Sequence, residues 1–265
     1  KRLANKFTGV LTGKGFEFGG SLIRPEATGY GLLFFVEEML KTAGEKVKGK
    51  KVVISGSGNV SQYAIEKTIQ MGGIPLTASD SEGFIYDPDG IDEEKLGFIM
   101  DLKNEKRGRI SVYAEKYNVP FYKGEKPWKI PCDIALPCAV QNELDETDAK
   151  MLVKKGCKLV AEGANMPCTI EAIEVFQKKG VLYAPGKAAN AGGVATSGLE
   201  MSQNSIRLSW TRDEVESKLR QIMQKIHKQC SRHGKKENGT VDYMKGANIA
   251  GFVRVADAML AEGHV

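Results

Sequence analysis

A short apolar run that ends in a glycine-rich turn and leads into a helical pattern constrains this chain more than any other feature. The run begins at Lys51, the turn holds Gly56 and Gly58, and apolar residues then recur with helical spacing over residues 60–69. Gly56 permits a tight turn, and Gly58 lets backbone approach a pyrophosphate at the amino terminus of the helix. Ser61 stands where a third glycine is usual and is small enough for close packing. The order strand, turn, helix and strand therefore predicts a dinucleotide site rather than an incidental turn.

Strand-like runs alternate with helix-length segments through the middle of the chain. The further strand-like runs cover residues 74–79, 119–122, 133–137, 158–161 and 181–184. The further helical patterns cover residues 25–43, 92–117, 142–155, 168–179, 213–233 and 246–262. Strands separated by helices favour βαβ units in a parallel sheet. We therefore predict an α/β, Rossmann-like doubly wound, mostly parallel sheet with a leading helix and a helical carboxy-terminal tail.

The composition excludes several classes of protein. Charged residues make up 27% and hydrophobic residues 42%, which is ordinary for a globular protein and excludes wholesale disorder. The net charge of +5 is small and spread out, so it does not favour a nucleic acid partner. The most apolar stretch, residues 31–40, contains Glu37 and Glu38 and is far shorter than a membrane span. Five cysteines without a C-x-x-C pair favour a reducing compartment, and we expect the cytoplasm.

The residues around the end of the second strand give divided indications about the cofactor. Asp80 has the position of an acid that binds the ribose diol, which favours NAD. Ser81 can donate a hydrogen bond, and Lys103, Lys106 and Arg109 recur at i, i+3 and i+6 on one face of the helix predicted at 92–117, which favours the 2′-phosphate of NADP. The alternative interpretation of these cations is a solvated basic face. The residues alone leave this choice open.

A group for proton transfer is difficult to find in this sequence. His227, His233 and His264 lie in the tail, where we interpret them as structural or surface residues, and no H-E-x-x-H metal site is present. Lys187 is the most notable lysine, with a loop cation as the equally good interpretation. The sequence thus offers a cofactor site without a catalytic acid or base. Either the protein only binds a dinucleotide, or it is one domain of a larger enzyme.

Four segments resemble hexameric glutamate dehydrogenases of the Glu/Leu/Phe/Val dehydrogenase family, and specifically their carboxy-terminal, cofactor-binding half. They are residues 19–31, 55–60, 161–167 and 190–201. The resemblance implies reversible hydride transfer between NADP and the α-carbon, with glutamate on one side and 2-oxoglutarate and ammonia on the other. It implies a homo-hexamer that serves nitrogen assimilation in the complete enzyme. The catalytic lysine and aspartate of the family belong to its other half, so no catalytic residue is expected here.

The resemblance also assigns two sets of binding residues. Those implied for the cofactor are Thr28, Gly56, Ser57, Gly58, Asn59, Val60, Asp80, Ser81, Lys103, Lys106 and Asn165. Those implied for the substrate are Arg24, Asn190, Val194 and Ser197. Ser197 would donate to the γ-carboxylate of glutamate, and its alternative is a helix hydroxyl bonded back to its own turn.

Three alternatives to an NADP-dependent glutamate dehydrogenase remain. The first is the NAD-dependent form, although Asp80 also occurs in NADP-linked relatives. The second is a leucine, phenylalanine or valine dehydrogenase, against which a polar Ser197 argues because those enzymes bind apolar side chains. The third is a non-catalytic dinucleotide-binding module.

The resemblance divides the chain into three parts. Residues 1–18 form an arm from a truncated first domain, residues 19–196 form the dinucleotide-binding domain, and residues 197–265 form a helical tail that packs toward the missing substrate domain. From this division we expect the chain alone to bind NADP(H), to lack glutamate oxidation activity and not to form the hexamer.

Overall fold

The computed structural model of the chain describes residues 9–263. Within this range the α-helices are α1 (Ala27–Thr42), α2 (Asn59–Gln70), α3 (Glu93–Met100), α4 (Ser111–Tyr117), α5 (Glu146–Lys154), α6 (Ile170–Lys179), α7 (Gly186–Ala189), α8 (Gly192–Ile206), α9 (Arg212–Gly234) and α10 (Tyr243–Glu262). The strands are β1 (Lys51–Ile54), β2 (Ile74–Pro75), β3 (Thr77–Asp80), β4 (Gly83–Tyr86), β5 (Phe121–Lys123), β6 (Ile134–Leu136), β7 (Leu159–Ala161) and β8 (Leu182–Ala184).

Five of the strands form one parallel sheet in the order β2-β1-β6-β7-β8. The strand order reverses between β1 and β6, because the chain first runs outward to β2 and later returns to the other side of β1. In open α/β sheets, ligands bind outside the carboxyl ends of the strands at such a reversal. The predicted Rossmann-like doubly wound, mostly parallel sheet is confirmed.

Successive residues of each strand pack on opposite faces of the sheet, as the two-residue period of a strand requires. In β1, Val52 and Ile54 join the core that includes α1, whereas Val53 joins the core that includes Leu152 of α5 and Phe176 of α6. Both faces are therefore covered by helices, which is why these strands are continuously apolar. α1 is apolar nearly all round because it also contacts α2, α8 and α9.

The prediction of one strand over 74–79 is wrong. Of the two strands in this stretch, only β2 pairs with β1. β3 instead pairs antiparallel with β4, which in turn pairs with β5. The run at 119–122 thus belongs to a separate three-stranded antiparallel sheet. The hairpin between β3 and β4 depends on Gly83, with a φ of 149° and no room for a Cβ, which would lie 2.1 Å from the carbonyl oxygen of Tyr122.

The prediction of one helix over 92–117 is also wrong. α3 passes into a π-helical turn at Asp101–Glu105, and the chain then leaves the helix before α4. Arg107 takes a left-handed conformation, with a φ of 51°. Gly108 packs so closely on Leu102 that a Cβ would lie 2.4 Å from its Cδ1 atom. Glycine at this close approach lets the chain turn back beside the helix that it has just left.

The amino-terminal end of the described chain packs onto α8. The backbone N–H of Gly13 donates to Glu200 Oε2 over 2.9 Å, and Lys14 Nζ lies 2.7 Å from Oε1 of the same buried side chain. Residues 1–8 of the predicted arm lie outside the described residues. The boundary predicted at 196/197 falls inside α8, and α9 and α10 pack against each other as a helical pair.

Candidate functional site

The glycine turn lies at the carboxyl end of β1, beside the loop that follows β6. Gly56 has a φ of 84°, and a Cβ on it would lie 3.3 Å from the carbonyl oxygen of Cys138. The N–H of Gly56 donates to Ser79 Oγ over 2.7 Å, which ties the turn to β3. The glycine is therefore required both by its positive φ and by the close approach of two loops. These loops meet where the order of the parallel strands reverses.

Gly58 provides open space for a ligand at the amino terminus of α2. Its φ of −88° is accessible to any residue, and a Cβ built on it meets nothing within 4 Å. The small residue at this position therefore has no packing role, in contrast to Gly56. Backbone N–H groups at a helix amino terminus bind phosphate, so the turn fits the pyrophosphate of a dinucleotide. Asn59 donates from Nδ2 to the carbonyl oxygen of Pro25 over 2.7 Å and fixes α2 to the start of α1.

A cleft of about 660 Å³ opens beside this turn. It brings together seven of the predicted site residues with the loops after β6 and β7. Its lining residues are Arg24, Thr28, Val60, Cys138, Ala139, Val140, Gln141, Gly163, Ala164, Asn165, Asn190, Gly193, Val194 and Ser197. Both the implied nicotinamide contacts and the implied substrate contacts therefore lie in one space.

Arg24 and Ser197 form a polar pair across this cleft. Arg24 Nε donates to Ser197 Oγ over 2.9 Å, although the two residues come from opposite ends of the domain. Ser197 thus has a hydrogen-bond partner outside its own helix, and its role toward a substrate stays a prediction. Thr28 lies beside the pair, because a Cβ on Gly193 would lie 2.5 Å from Thr28 Oγ1. Gly193 thus leaves room for the threonine hydroxyl in the cleft, where it can meet a polar ligand.

Two asparagines form the opposite polar wall. Asn190 Nδ2 donates to Asn165 Oδ1 over 2.8 Å and to the carbonyl oxygen of Ala164 over 3.2 Å. These bonds orient the Asn190 amide and join the segment before α8 to the loop after β7. Val194, in the first turn of α8, exposes 73% of its surface at the mouth of the cleft. Its exposure suits an apolar contact with a ligand or with a closing domain.

Asp80 lies at the end of β3 with both carboxylate oxygens occupied by donors. Oδ1 accepts from the N–H of Glu82 over 2.9 Å, and Oδ2 accepts from the N–H of Ile110 over 2.9 Å and from Lys103 Nζ over 3.1 Å. Burial alone would raise the pKa of Asp80, but these hydrogen bonds and the lysine charge outweigh it and hold the pKa below its usual value. The carboxylate thus stays ionised while it organises the two loops around it.

The three cations predicted on one helix face do not share a face. Lys103 is in the π-helical turn and contacts Asp80, whereas Lys106 lies beyond the turn and pairs with Asp101. Arg109 is in the following loop and donates from an Nη atom to Ser81 Oγ over 2.7 Å. The interruption of the predicted helix separates them. We call Lys103, Ser81 and Arg109 the cationic cluster, because Lys103 contacts Asp80 and Arg109 contacts the adjacent Ser81 and, over 3.4 Å, Glu82. The arrangement gives no support to the predicted role of Lys106.

The loop that follows β6 was not among the predicted site residues. Cys138, Ala139, Val140 and Gln141 line the cleft, and their position directly after a parallel strand was the signal that could have found them. The buried thiol of Cys138 has a raised pKa because of desolvation, so it stays protonated. This loop therefore contributes shape and not a nucleophile.

Glu143 holds that loop in place and was also missed. Its Oε1 accepts from the N–H of Ala139 and from Ser55 Oγ, both over 2.9 Å, and Ser55 Oγ accepts in turn from the N–H of Cys138 over 2.9 Å. Burial raises the pKa of Glu143 despite the hydrogen bonds that it accepts. The network fixes the end of β1 to the loop after β6.

The remaining candidate residues have structural surroundings. His227 is buried, and its Nε2 lies 3.0 Å from the Tyr243 hydroxyl. Lys187 donates to Asn248 of α10 over 2.7 Å. His264 lies outside the described residues. Between residues 9 and 263 no group of three or more His, Cys, Asp or Glu side chains could hold a metal ion, and no helix there is long and apolar enough to cross a bilayer.

The doubly wound fold with a glycine turn and an adjoining polar cleft defines a dinucleotide-binding domain of the dehydrogenase type. The family model described as Glutamate/Leucine/Phenylalanine/Valine dehydrogenase matches residues 19–263. The chain belongs to this family.

Individual relatives agree with this assignment. The chain is 62% identical over 263 residues to the NAD(P)-specific glutamate dehydrogenase of Xylanibacter ruminicola. The match covers 99% of this chain and 59% of the relative. It is 56% identical over 265 residues to the NADP-specific glutamate dehydrogenase of Escherichia coli, covering 100% of this chain and 59% of the relative.

A solved glutamate dehydrogenase of Plasmodium falciparum matches with a TM-score of 0.97 and 48% identity over 100% of this chain and 57% of that one. The chain therefore spans about 60% of the length of the curated relatives that it matches.

Proposed function

We propose that this chain is the cofactor-binding part of an NADP-dependent glutamate dehydrogenase. The complete enzyme would interconvert L-glutamate, NADP⁺ and water with 2-oxoglutarate, ammonia and NADPH. The observation that carries the proposal is the single cleft in which the residues implied for nicotinamide and those implied for substrate lie together. The relatives also support the proposal, because several of them are named NADP-specific glutamate dehydrogenases.

The dinucleotide supplies the hydride when it is bound, and the chain supplies the means of binding and orienting it. Backbone N–H groups after Gly58 would hold the pyrophosphate at the start of α2. Thr28 and Asn165 line the cleft, and we propose that they would contact the nicotinamide and its ribose. These contacts would fix one face of the nicotinamide toward the substrate. Orientation of this kind contributes to catalysis without a proton-transfer group.

The substrate end of the cleft suits a dicarboxylate. Ser197 Oγ already accepts from Arg24, so its proton remains available for donation to the γ-carboxylate of glutamate. A leucine, phenylalanine or valine substrate would leave this polar pair without a partner. The pair therefore favours glutamate within the family.

Two features support NADP over NAD. Lys103 contacts Asp80 and Arg109 contacts Ser81 at the end of β3, where the 2′-position of the adenosine ribose lies in folds of this type. Asp80 is neutralised by Lys103 and by two N–H donors, so it opposes a phosphate less than an isolated carboxylate would. One relative is named NAD(P)-specific, so NAD stays as the alternative cofactor.

The remaining proposals concern the complete enzyme. We infer a homo-hexamer, a cytoplasmic location and a role in nitrogen assimilation, with α9 and α10 packing toward a substrate domain that carries the catalytic lysine and aspartate. Five buried thiols without disulfides support the reducing compartment. A non-catalytic dinucleotide-binding module is the alternative. The two differ in the expected role of Ser197, because only an enzyme requires this residue to bind a substrate.

Gly58→Val tests the dinucleotide site directly. The valine side chain would fill the open space over the turn without a clash in the fold, so binding of NADPH should be lost while the melting temperature changes little. Gly97→Val in α3, which also has open space, is the matched control and should leave binding intact. Retained NADPH binding by Gly58→Val would place the cofactor elsewhere.

A further inference from the structure

Two side-chain amides connect the glycine turn to the π-helical turn at Asp101–Glu105. Gln62, in the second turn of α2, donates from Nε2 to Asn104 Oδ1 over 3.1 Å, and Asn104 Nδ2 donates back to Gln62 Oε1 over 3.1 Å. The Gln62 Nε2 atom also donates to the carbonyl oxygen of Ser57 over 2.8 Å. Gln62 is 98% buried, so every polar atom of its amide needs a partner, and these three bonds provide them.

Consecutive residues of the π-helical turn contact different segments of the chain. Lys103 and Asn104 are consecutive in it, yet Lys103 Nζ donates to Asp80 Oδ2 and to the carbonyl oxygen of Gly108, while Asn104 reaches the helix of the glycine turn. Turns of this kind are rare and are frequently found at functional sites. The turn makes contacts outside its own helix, and the amide pair is one of them.

We propose that Gln62 and Asn104 are positioning residues that hold the π-helical turn against the glycine turn and so place Lys103 for the 2′-phosphate of NADP(H). This inference rests on the proposed function, because it concerns the same cofactor site. The pair contacts neither Asp80 nor the cations around it. It joins the proposed pyrophosphate site to the proposed 2′-phosphate site and fixes their relative positions. One bound dinucleotide can therefore contact both sites.

The two members of the pair have separable effects. Within residues 9–263 the exposed Asn104 side chain bonds only to Gln62, so Asn104→Ala frees the π-helical turn while Gln62 keeps its bond to the carbonyl oxygen of Ser57. Gln62 also supports Ser57, so Gln62→Ala loosens both sites. Asn104→Ala should therefore weaken NADPH alone, whereas Gln62→Ala should weaken NADPH and NADH together. A pair that only stabilised the fold would lower the melting temperature and leave the ratio of the two affinities unchanged.

Calorimetric titration of both cofactors into the parent chain, Asn104→Ala and Gln62→Ala tests this, with Glu105→Gln as the control in the same turn. We expect Asn104→Ala to lose about tenfold in NADPH affinity and less than about twofold in NADH affinity. We expect Glu105→Gln to match the parent. Asn104 is on the surface, so its variant folds even if Gln62→Ala does not.

The outcomes separate this inference from the proposed function. A parent that prefers NADPH and an Asn104→Ala variant that keeps the full preference overturn the role of the pair and leave the proposed function standing. A parent without any preference for NADPH overturns both. Equal loss of the two cofactors in Asn104→Ala also overturns the positioning role, since it would indicate a general loss of structure.

Discussion

The ammonium nitrogen of Lys103 lies 3.1 Å from Oδ2 of Asp80. This contact resolves a conflict within the sequence, in which an acid typical of NAD sites lies near cations typical of NADP sites. The acid does not repel a phosphate as an isolated charge would, because the lysine and two backbone N–H groups share its carboxylate. The side chain of Lys103 is only 19% exposed, and its Nζ donates both to Asp80 and to the carbonyl oxygen of Gly108.

Lys103→Ala should remove most of the preference for NADPH. The variant loses a charge-assisted contact to phosphate, typically about 1.5–3 kcal/mol, and leaves Asp80 less neutralised. Lys106→Ala is the control, because Lys106 pairs with Asp101 and is 63% exposed. Titration of NADPH and NADH into each variant measures the preference. A normal preference in Lys103→Ala, or a loss confined to Lys106→Ala, would mean that the cationic cluster is assigned wrongly.

Ser197→Ala should impair the complete enzyme toward glutamate more than it impairs cofactor binding. The hydroxyl that we propose to meet the γ-carboxylate is removed, and Arg24 Nε loses its acceptor. A hydrogen bond to a charged group is worth about 1.5–3 kcal/mol, so the KM for glutamate should rise roughly tenfold or more. Steady-state kinetics with glutamate varied, beside a titration of NADPH, distinguishes the two effects. An unchanged KM would remove Ser197 from the substrate site.

Gly192→Ala should destabilise the domain where α1 meets α8. A Cβ at this position would lie 2.0 Å from the carbonyl oxygen of Ala27 and 3.0 Å from Gly31 Cα, so the helices would have to separate. We expect a loss of about 1–3 kcal/mol in the free energy of unfolding, as for other overpacked sites. Gly198→Ala in the same helix meets nothing within 4 Å and should instead stabilise by about 0.5–1 kcal/mol. Urea denaturation of both variants provides the comparison.

Acid should destabilise the chain in part through His227. Burial lowers the pKa of His227 below the usual 6.5, while Glu38 opposes this shift and Lys41 adds to it. As the pH falls below 6.5, the unfolded chain takes up a proton that the folded chain does not, so the folded state loses stability until its own lower pKa is reached. The unfolding free energy of His227→Gln should therefore depend less on pH in this window. Denaturation at a series of pH values would contradict this if the parent and the variant had parallel profiles.

The sequence was sufficient for most of the fold because its patterns were local. The glycine turn, the apolar strands of the parallel sheet and the long amphipathic helices each carry their own signal within a few residues. The hairpin of β3 and β4 and the break after Met100 were missed because they depend on Gly83 and Gly108. In both cases the glycine is needed for contact with a residue elsewhere, Tyr122 and Leu102 respectively, which local patterning does not reveal.

The site was predicted less completely for the same reason. Resemblance of motifs identified residues such as Thr28 and Ser197, and the cleft brings these together. The partners that orient them come from distant segments, as with Arg24 on Ser197 and Asn165 on Asn190. Gln62 and Glu143 have no motif of their own, because their function in the structure is to hold backbone groups of other segments. Lys106 does not share a helix face with the other two cations, because the chain leaves the helix that the periodicity predicted, and its role at the cofactor stays a prediction.

The central claim is that this chain forms an NADP-binding domain, and titration of NADPH and NADH into the purified 265-residue chain tests it most directly. The account predicts that NADPH binds at least about tenfold more tightly than NADH, equivalent to about 1.4 kcal/mol. It also predicts that the chain alone does not oxidise glutamate in the same solution, because the proposed proton-transfer groups belong to another domain. Equal affinities, or tighter binding of NADH, would contradict it.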